Sequence, residues 1–300
     1  MDFSKNIIYI KIEHVSQFKT LIDVLSNILT DSTVVFTSSN PVNLKESGGL
    51  EIREADPTRT TFIGLKLHAN EFAEYYIKPK EHRIGINLDS LNKLIKSIDK
   101  NSTITLSIKE SDKHNLLIEV KTHDKKKKTS HKLKLLNMEV FRKPSTLEFT
   151  TRIVMPSEEF HKVCKEMLVF AEYIEIKCNA NEMTYSCKGE SVESNIQYNY
   201  DEEDLTIINK SNTIVKGNFE LKNITYFSKC SSFSPNIEIF MKNDYPLILV
   251  YTIFDDSTEL GKLVVKFSPI KDEAIDNKMC QYSSDEDEVE IIETKMISVQ

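Results

Sequence analysis

Along most of the chain, apolar residues alternate with polar ones or crowd into short β-branched runs, and both patterns predict strands. In the first half IIYIKI (7–12), TVVFTS (33–38), TFIGLKL (61–67), TITLSI (103–108), NLLIEV (115–120) and HKLKLL (131–136) read this way. In the second half FTTRIVM (149–155), YIEIKC (173–178), EMTYSC (182–187), NIQYNY (195–200), NIEIFM (236–241), PLILVYTI (246–253) and KLVVKF (262–267) repeat the style. Four segments switch to a helical period. Phe18, Leu21, Ile22, Leu25, Ile28 and Leu29 form one apolar stripe, with Ser16 as its expected cap. Leu91, Leu94, Ile95 and Ile98 form a second after Asp89 and Ser90. Phe160, Val163, Cys164, Met167 and Leu168 follow the start signal Pro156-Ser157-Glu158-Glu159, with acids on the first turn. Leu221, Ile224 and Phe227 make the shortest. Each helix should run about three turns, lay one face on a sheet and turn the other to solvent.

The order of these elements repeats. Gly85-Ile86-Asn87-Leu88, a helix, then Ile104-Thr105-Leu106 is echoed by Gly217-Asn218-Phe219-Glu220, a helix, then Ile237-Glu238-Ile239, at an offset of 132 from Gly85 to Gly217. The pattern predicts an α+β fold made of a duplicated domain, each copy holding two helices on one side of antiparallel sheet. The expected divisions are an N-terminal domain over 1–135, an extended, Pro-containing connector over 136–148, a C-terminal domain over 149–270 and a tail over 271–300.

Charge changes this picture once it is located. The 300 residues carry 39 Lys+Arg against 46 Asp+Glu, a net −7, which taken whole argues against a basic nucleic-acid binder. Residues 271–300, however, hold nine acids and three lysines, including the run SSDEDEVE. This −6 leaves only −1 for residues 1–270, and the tail reads as solvated and mostly disordered. Lys125–Lys128 reads as a charged hairpin tip. No apolar run approaches the ~20 residues of a membrane helix, and MDFSKNIIYI lacks the layout of a signal peptide. Five cysteines without a CxxC point to reduced thiols in an intracellular protein that is not secreted.

The inventory for catalysis is thin. GxGxxG, GxxxxGK, GxSxG and HExxH are all absent, as is any Cys/His spacing suited to zinc. His14, His68, His82, His114, His123, His131 and His161 are scattered and read as surface residues, and Cys164, Cys178, Cys187 and Cys230 as small buried thiols. The expectation is a protein without enzymatic activity, cofactor or metal; carboxylates assembled from distant segments remain the open enzymatic alternative. The polar helix faces are more distinctive. Lys93 and Lys96 stand three apart opposite their apolar stripe, and Lys162 and Lys165 repeat that spacing. Lys222 and Lys229 lie two turns apart on the fourth helix, and Lys19 is alone on the first. On one side of a duplicated sheet they would line a single surface, with the acids left to outer sheets and loops. Evenly spread lysines without interleaved aromatics suit non-specific contact with phosphates; a solvated helix face is the plain alternative.

These segments also carry a resemblance. IGINLDSLNKLIKSI (84–98) with TITLSI, VMPSEEFHKVCKEM (154–167), GNFELKNITYFSKCSSFSPNIEIFM (217–241), YPLILVYTI (245–253) and KLVVKFSPI (262–270) resemble the proliferating cell nuclear antigen family, the eukaryotic-type DNA sliding clamps. The resemblance covers essentially residues 7–270 and, with the Lys-, Asn- and Ile-rich composition, suggests a divergent member from a large DNA virus or protist. It implies a homotrimeric ring with helices lining the hole and sheets outside. Such a ring encircles duplex DNA, is loaded by an ATP-dependent clamp loader, and tethers polymerase and other replication and repair proteins in a nucleus or a viral replication factory. Family positions for DNA-facing basic residues match Lys19, Lys93, Lys96, Lys162, Lys165, Lys222 and Lys229, while Thr20 and Ser26 stand where the family often has lysines.

In the family, subunits join by pairing two edge strands. The resemblance maps these to Asn115–Lys121, with Leu116, Leu117, Ile118 and Val120, and to Ser194–Tyr200, with Asn195, Ile196 and Tyr198. It also implies a pocket for partner motifs from Val140, Phe141 and Pro144 of the connector with Pro246, Ser268 and Pro269. The connector is shorter than usual, Arg59 and Thr60 replace the common residues there, Asn40–Gly49 reads as a loop insertion, and the acidic tail is not standard. The runner-up reading is a clamp-fold DNA-binding or scaffold protein that acts as a monomer or dimer without encirclement.

Overall fold

The computed structural model describes residues 3–38, 48–122, 127–138, 149–199, 205–209 and 213–270. Most of the connector, most of the 40–49 insertion, Lys125, Lys126 and the tail lie outside the described residues. The chain forms two compact units. The described residues up to 138 with 229–235 and 251–263 make unit 1; those of 149–228, 236–250 and 264–270 make unit 2.

Unit 1 runs β1 (Asn6–Ile12), α1 (Val15–Ser26), β2 (Asp31–Thr37), β3 (Gly49–Ala55), β4 (Thr61–His68), β5 (Glu74–Ile77), β6 (Glu81–Asn87), α2 (Leu88–Ile95), β7 (Ser102–Lys109), β8 (Asp112–Thr122) and β9 (Lys128–Lys134). One sheet has the order β5-β1-β7-β8-β9, and β4-β3-β2-β6 are neighbours in another. These pairings are antiparallel. The two helices pack on each other, α1 against β7 and α2 against β2, β6 and β9. Side chains of α1 (Phe18, Leu21, Ile22), α2 (Leu91) and both sheets (Ile52, Ile84, Leu106, Leu116) meet around one apolar core void of about 20 Å³.

Unit 2 repeats the plan with β10 (Thr151–Pro156), α3 (Ser157–Leu168), β11 (Tyr173–Cys178), β12 (Glu182–Lys188), β13 (Glu193–Asn199), β14 (Thr206–Asn209), β15 (Val215–Glu220), α4 (Leu221–Tyr226), β16 (Asn236–Met241), β17 (Leu247–Asp255) and β18 (Thr258–Phe267). The β17–β18 hairpin has its base in unit 2 and its tip in unit 1, where β18 lies beside β4. Unit 2 orders its sheets β13-β12-β11-β15 and β14-β10-β16-β17-β18. Its helices pack on each other as α1 and α2 do, and α3 also lies on β10, β11 and β16. The duplication extends to how each repeat closes. Leu136 makes an isolated bridge to Gly85 of β6, and Ile270 makes one to Asn218 of β15. A Cβ at position 85 would lie 2.6 Å from the Leu136 carbonyl oxygen, so glycine is what lets the returning chain approach.

Several sequence expectations change. Ser16 lies inside α1 and is not its cap; the cap position is His14, which makes no capping bond because its ring meets the Asp255 carboxylate. The start of α2 is capped by Asn87, whose Oδ1 accepts from the Ser90 amide at 2.8 Å. Three turns hold for α1 and α3, with 12 residues each, but α2 has 8 and α4 only 6. After Tyr226 the chain tightens into a 3-10 segment, Phe227–Ser232, following the weak helix formers Asn223, Ile224, Thr225 and Tyr226. Strands β3, β5 and β14 give no clear signal in the sequence, the first because GLEIREA carries three charges, the others because four residues show no period.

His161 is not a surface residue. It is 2% exposed on α3, edge-on to Phe160, with ring centroids 5.2 Å apart. Burial, aided by the nearby Lys165 charge, lowers its pKa from 6.5 to about 3. The folded chain therefore keeps this imidazole neutral while the unfolded chain protonates it below pH 6.5. Stability from His161 is complete above that pH and is lost as pH falls toward 3. Unfolding free energies from urea titrations between pH 6.5 and 4.5 should fall more steeply for the wild type than for His161→Asn, by up to ~1.4 kcal/mol per pH unit; parallel slopes would refute this.

Candidate nucleic-acid interface

The lysines read from sequence fall on both units. Of the four in unit 1, Lys93 and Lys96 are exposed at α2, because Leu88, Leu91 and Ile95 bury the opposite arc. Among the described residues neither forms an ion pair. Lys19, half-buried on α1, donates its Nζ to the carbonyl of Ile98, just beyond the end of α2. That contact satisfies a carbonyl at a helix C-terminus and places a cation at the negative end of its dipole. Lys229, in the 3-10 segment after α4, is ion-paired with Asp23 of α1.

Asp23 contradicts the expectation that acids stay on outer sheets and loops. Its Oδ1 accepts from Asn92 Nδ2 at 3.1 Å, and the same amide nitrogen reaches Ser26 Oγ at 2.9 Å. Ser26, where a lysine was the familiar residue, thus helps Asn92 clamp α1 to α2. Burial pushes the Asp23 pKa up, but the hydrogen bonds from Lys229 and Asn92 and the charges of Lys229 and Lys96 outweigh it and hold the carboxyl below its ordinary value. Thr20, the other substituted position, donates its hydroxyl to the Ser16 carbonyl at 3.0 Å.

In unit 2, Lys162 and Lys165 are exposed on α3 and Lys222 is exposed on α4, set by the buried positions Phe160, Val163, Cys164, Met167, Leu221 and Ile224. None of the three forms an ion pair among the described residues. The face is mixed in sign, since Glu158 and Glu166 are exposed on the same helix. Such a surface offers point charges without stacking groups, suited to phosphates rather than bases.

Two strand edges matter for assembly. Asn115–Lys121 is not an edge: β8 pairs with β7 on one side and β9 on the other, and Leu116, Ile118 and Val120 are buried while Leu117 is half-buried. The edge of that sheet is β9, with Lys128, Ser130, Lys132 and Lys134 exposed. Whether a strand is an edge depends on its neighbours in the sheet, and the stronger β pattern of NLLIEV marks an interior strand. By contrast, β13 is an edge. On it Asn195 is exposed, Ile196 and Tyr198 are half-buried, and the Tyr198 hydroxyl donates to Glu159 Oε1 of α3 at 2.7 Å. Near its start lies an exposed apolar group: Leu168, the last residue of α3, which was expected in that helix's inward stripe but is exposed, then Val169 and Phe170 after the helix, with Val192. The loops are held together because Gly189, bonded through its N–H to the Val192 carbonyl, sits against the Phe170 carbonyl. The signal was present, since Val169 and Phe170 extend past the helical stripe.

Of the expected partner pocket, Val140, Phe141 and Pro144 lie outside the described residues, and Pro246, Ser268 and Pro269 are half-buried in unit 2. The cysteines Cys164, Cys178, Cys187 and Cys230 are free and buried. Burial drives their thiol pKa values up, that of Cys178 to about 12 with help from Glu182, so they are inert.

Two α+β repeats, each with a helix pair on antiparallel sheets and closed by the same returning bridge, define a DNA-clamp fold. The chain belongs to the proliferating cell nuclear antigen family: residues 7–141 match the model of its N-terminal domain and residues 144–266 that of its C-terminal domain. Among curated proteins it is similar to "Probable DNA polymerase sliding clamp 1" of Paramecium bursaria Chlorella virus 1, 28% identical over 276 residues, covering 90% of this chain and 99% of that one. It is also 28% identical over 230 residues to "Probable DNA polymerase sliding clamp" of Acanthamoeba polyphaga mimivirus, covering 75% of this chain but only 48% of that longer protein. Among solved structures, the proliferating cellular nuclear antigen of Entamoeba histolytica shares the fold, with TM-score 0.75 and 22% identity, covering 89% of this chain and all of the other.

Proposed function

We propose that the chain is a DNA sliding clamp, a non-enzymatic processivity factor that encircles duplex DNA as a homotrimer and tethers polymerase and other replication and repair proteins. The observation that carries this reading is the set of outward lysines on α2, α3 and α4 of a duplicated clamp fold. Lys93, Lys96, Lys162, Lys165 and Lys222 meet the phosphates directly, with Lys19 and Lys229 contributing beside them. Because a closed ring cannot dissociate sideways, these contacts need only be weak and screened, which is what lets the protein slide. An ATP-dependent loader opens the ring. The two curated relatives named above are viral, which supports action in a viral replication factory or an infected nucleus.

The ring closes by adding edge β9 of one subunit to edge β13 of the next, in place of the pairing that the resemblance maps to β8. Unpaired edges are a liability that such closure removes. The apolar group Leu168, Val169, Phe170 and Val192, beside the start of β13, supplies the buried surface that backbone pairing lacks. Partner motifs dock on unit 2 near Pro246, Ser268 and Pro269, together with Val140, Phe141 and Pro144. The domain divisions at 135, 148 and 270 are part of the same proposal.

A second reading has one observation in its favour. The exposed Lys128, Lys132 and Lys134 of β9 are the kind of charge by which natural sheets guard an edge against pairing. On that reading the protein binds DNA or scaffolds partners as a monomer or dimer. Mass separates the two: light scattering should give about three times 34.6 kDa for the ring, and a mass of one or two chains would overturn it. Replacing Lys93, Lys96, Lys162 and Lys165 together by Ala should leave that mass unchanged. It should also flatten the slope of log binding constant against log salt on duplex DNA by up to about 0.9 per lysine; an unchanged slope would sink the lysine assignment.

A further inference from the structure

Among the described residues, one acid is ion-paired with a lysine assigned to the duplex. Asp23 projects from α1 toward Asn92 of α2 and toward Lys229 of the 3-10 segment, and all three residues lie within unit 1. Three groups converge on its carboxylate: the Lys229 ammonium by an ion pair, the Asn92 amide at 3.1 Å, and the Lys96 charge acting through space. Its side chain is 25% exposed, while that of Lys229 is 59% exposed. The carboxylate is therefore anchored from beneath by Asn92 and presents its remaining charge to lysines that reach into solvent. This is the relation of a phosphate oxygen to the same lysines.

We propose that Asp23 is an internal counter-anion that competes with duplex phosphates for Lys229 and Lys96 and so weakens the grip of this face on DNA. The inference rests on the clamp reading above and adds a residue that limits affinity rather than supplying it. Exposed ion pairs are weak, so a phosphate arriving at Lys229 exchanges one anion for another at little cost, but gains little by doing so. Counterion release is also reduced there, since a lysine already paired to a carboxylate holds fewer mobile ions for DNA to displace. Lys93 has no such partner among the described residues. In unit 2, Lys162, Lys165 and Lys222 likewise have no acid paired to them among the described residues. The contacts with DNA are thus unequal: Lys93 and the unit 2 lysines grip, while the Lys229–Lys96 place exchanges.

The test compares binding of the full-length chain to a short fluorescent duplex across a salt series. Asp23→Asn keeps a side-chain oxygen for Asn92 while removing the charge. It should tighten binding several-fold at low salt and steepen the salt slope by about 0.9 for each lysine released, one or two in all. Lys229→Met should cost the wild type less than twofold but should cancel most of the gain in the Asp23→Asn background. Lys93→Met should weaken the wild type several-fold more than Lys229→Met does, a comparison that stands even if Asp23→Asn fails to fold. Equal losses from Lys93→Met and Lys229→Met, or an Asp23→Asn slope identical to that of the wild type, would overturn the inference while leaving the clamp reading intact. If wild type and the four-lysine variant both show no salt-dependent binding, the clamp reading itself fails, and this inference with it.

Discussion

The apolar stripe of each helix locks the helix against rotation about its own axis, and most of what this protein offers to a partner derives from that. Leu88, Leu91 and Ile95 must be buried, so at 3.6 residues per turn Lys93 and Lys96 have no other direction to face. Phe160, Val163, Cys164 and Met167 do the same for Lys162 and Lys165. The stripes are held in turn by antiparallel sheets whose alternating side chains meet them in one core per unit. A charge on such a helix face is placed by hydrophobic burial on the far side, which is not weakened by salt. The scaffold can therefore hold a set of weak, screened contacts in fixed geometry without spending those contacts on its own stability.

This division explains which parts were legible in the sequence. The helix faces were readable because a stripe of three or four apolar residues is a local signal. The duplication was readable because the order of elements repeats at a fixed offset. Edge and interior positions were not, because they depend on neighbours: the alternation of NLLIEV states that one face of β8 is buried and is silent about whether β9 pairs beyond it. Asp23 was equally hidden. It sits between Ile22 and Val24 in a run that reads as core, and its partner Lys229 is 206 residues away. His161 lay within reach of local reasoning. Three residues before Cys164 and one after Phe160, it falls on the flank of the buried stripe, where a polar ring at the margin is drawn inward.

The charge of the chain is organised at several scales that composition merges. Thirty terminal residues hold nearly all of the net negative charge, the helix faces carry lysines interspersed with a few acids, and one aspartate, Asp23, is ion-paired with one of those lysines. Each scale has a different physical consequence. A tail alters solubility and long-range steering, a lysine face sets affinity for a polyanion, and one paired carboxylate trims that affinity locally. Reading net charge as a property of the whole molecule would have pointed away from DNA.

The two returning bridges, Leu136 to Gly85 and Ile270 to Asn218, fasten the closing segment of each repeat to the strand that leads into its second helix. The two repeats therefore release the chain from corresponding points of their architecture. From the first point the sequence goes on to the connector and the second repeat; from the second it goes on to the acid-rich segment. In construction terms the two are equivalent exits, the first leading to a second repeat and the second to a stretch of sequence dense in acids. The plan accepts an addition at that position without asking any strand or helix of the repeat to move.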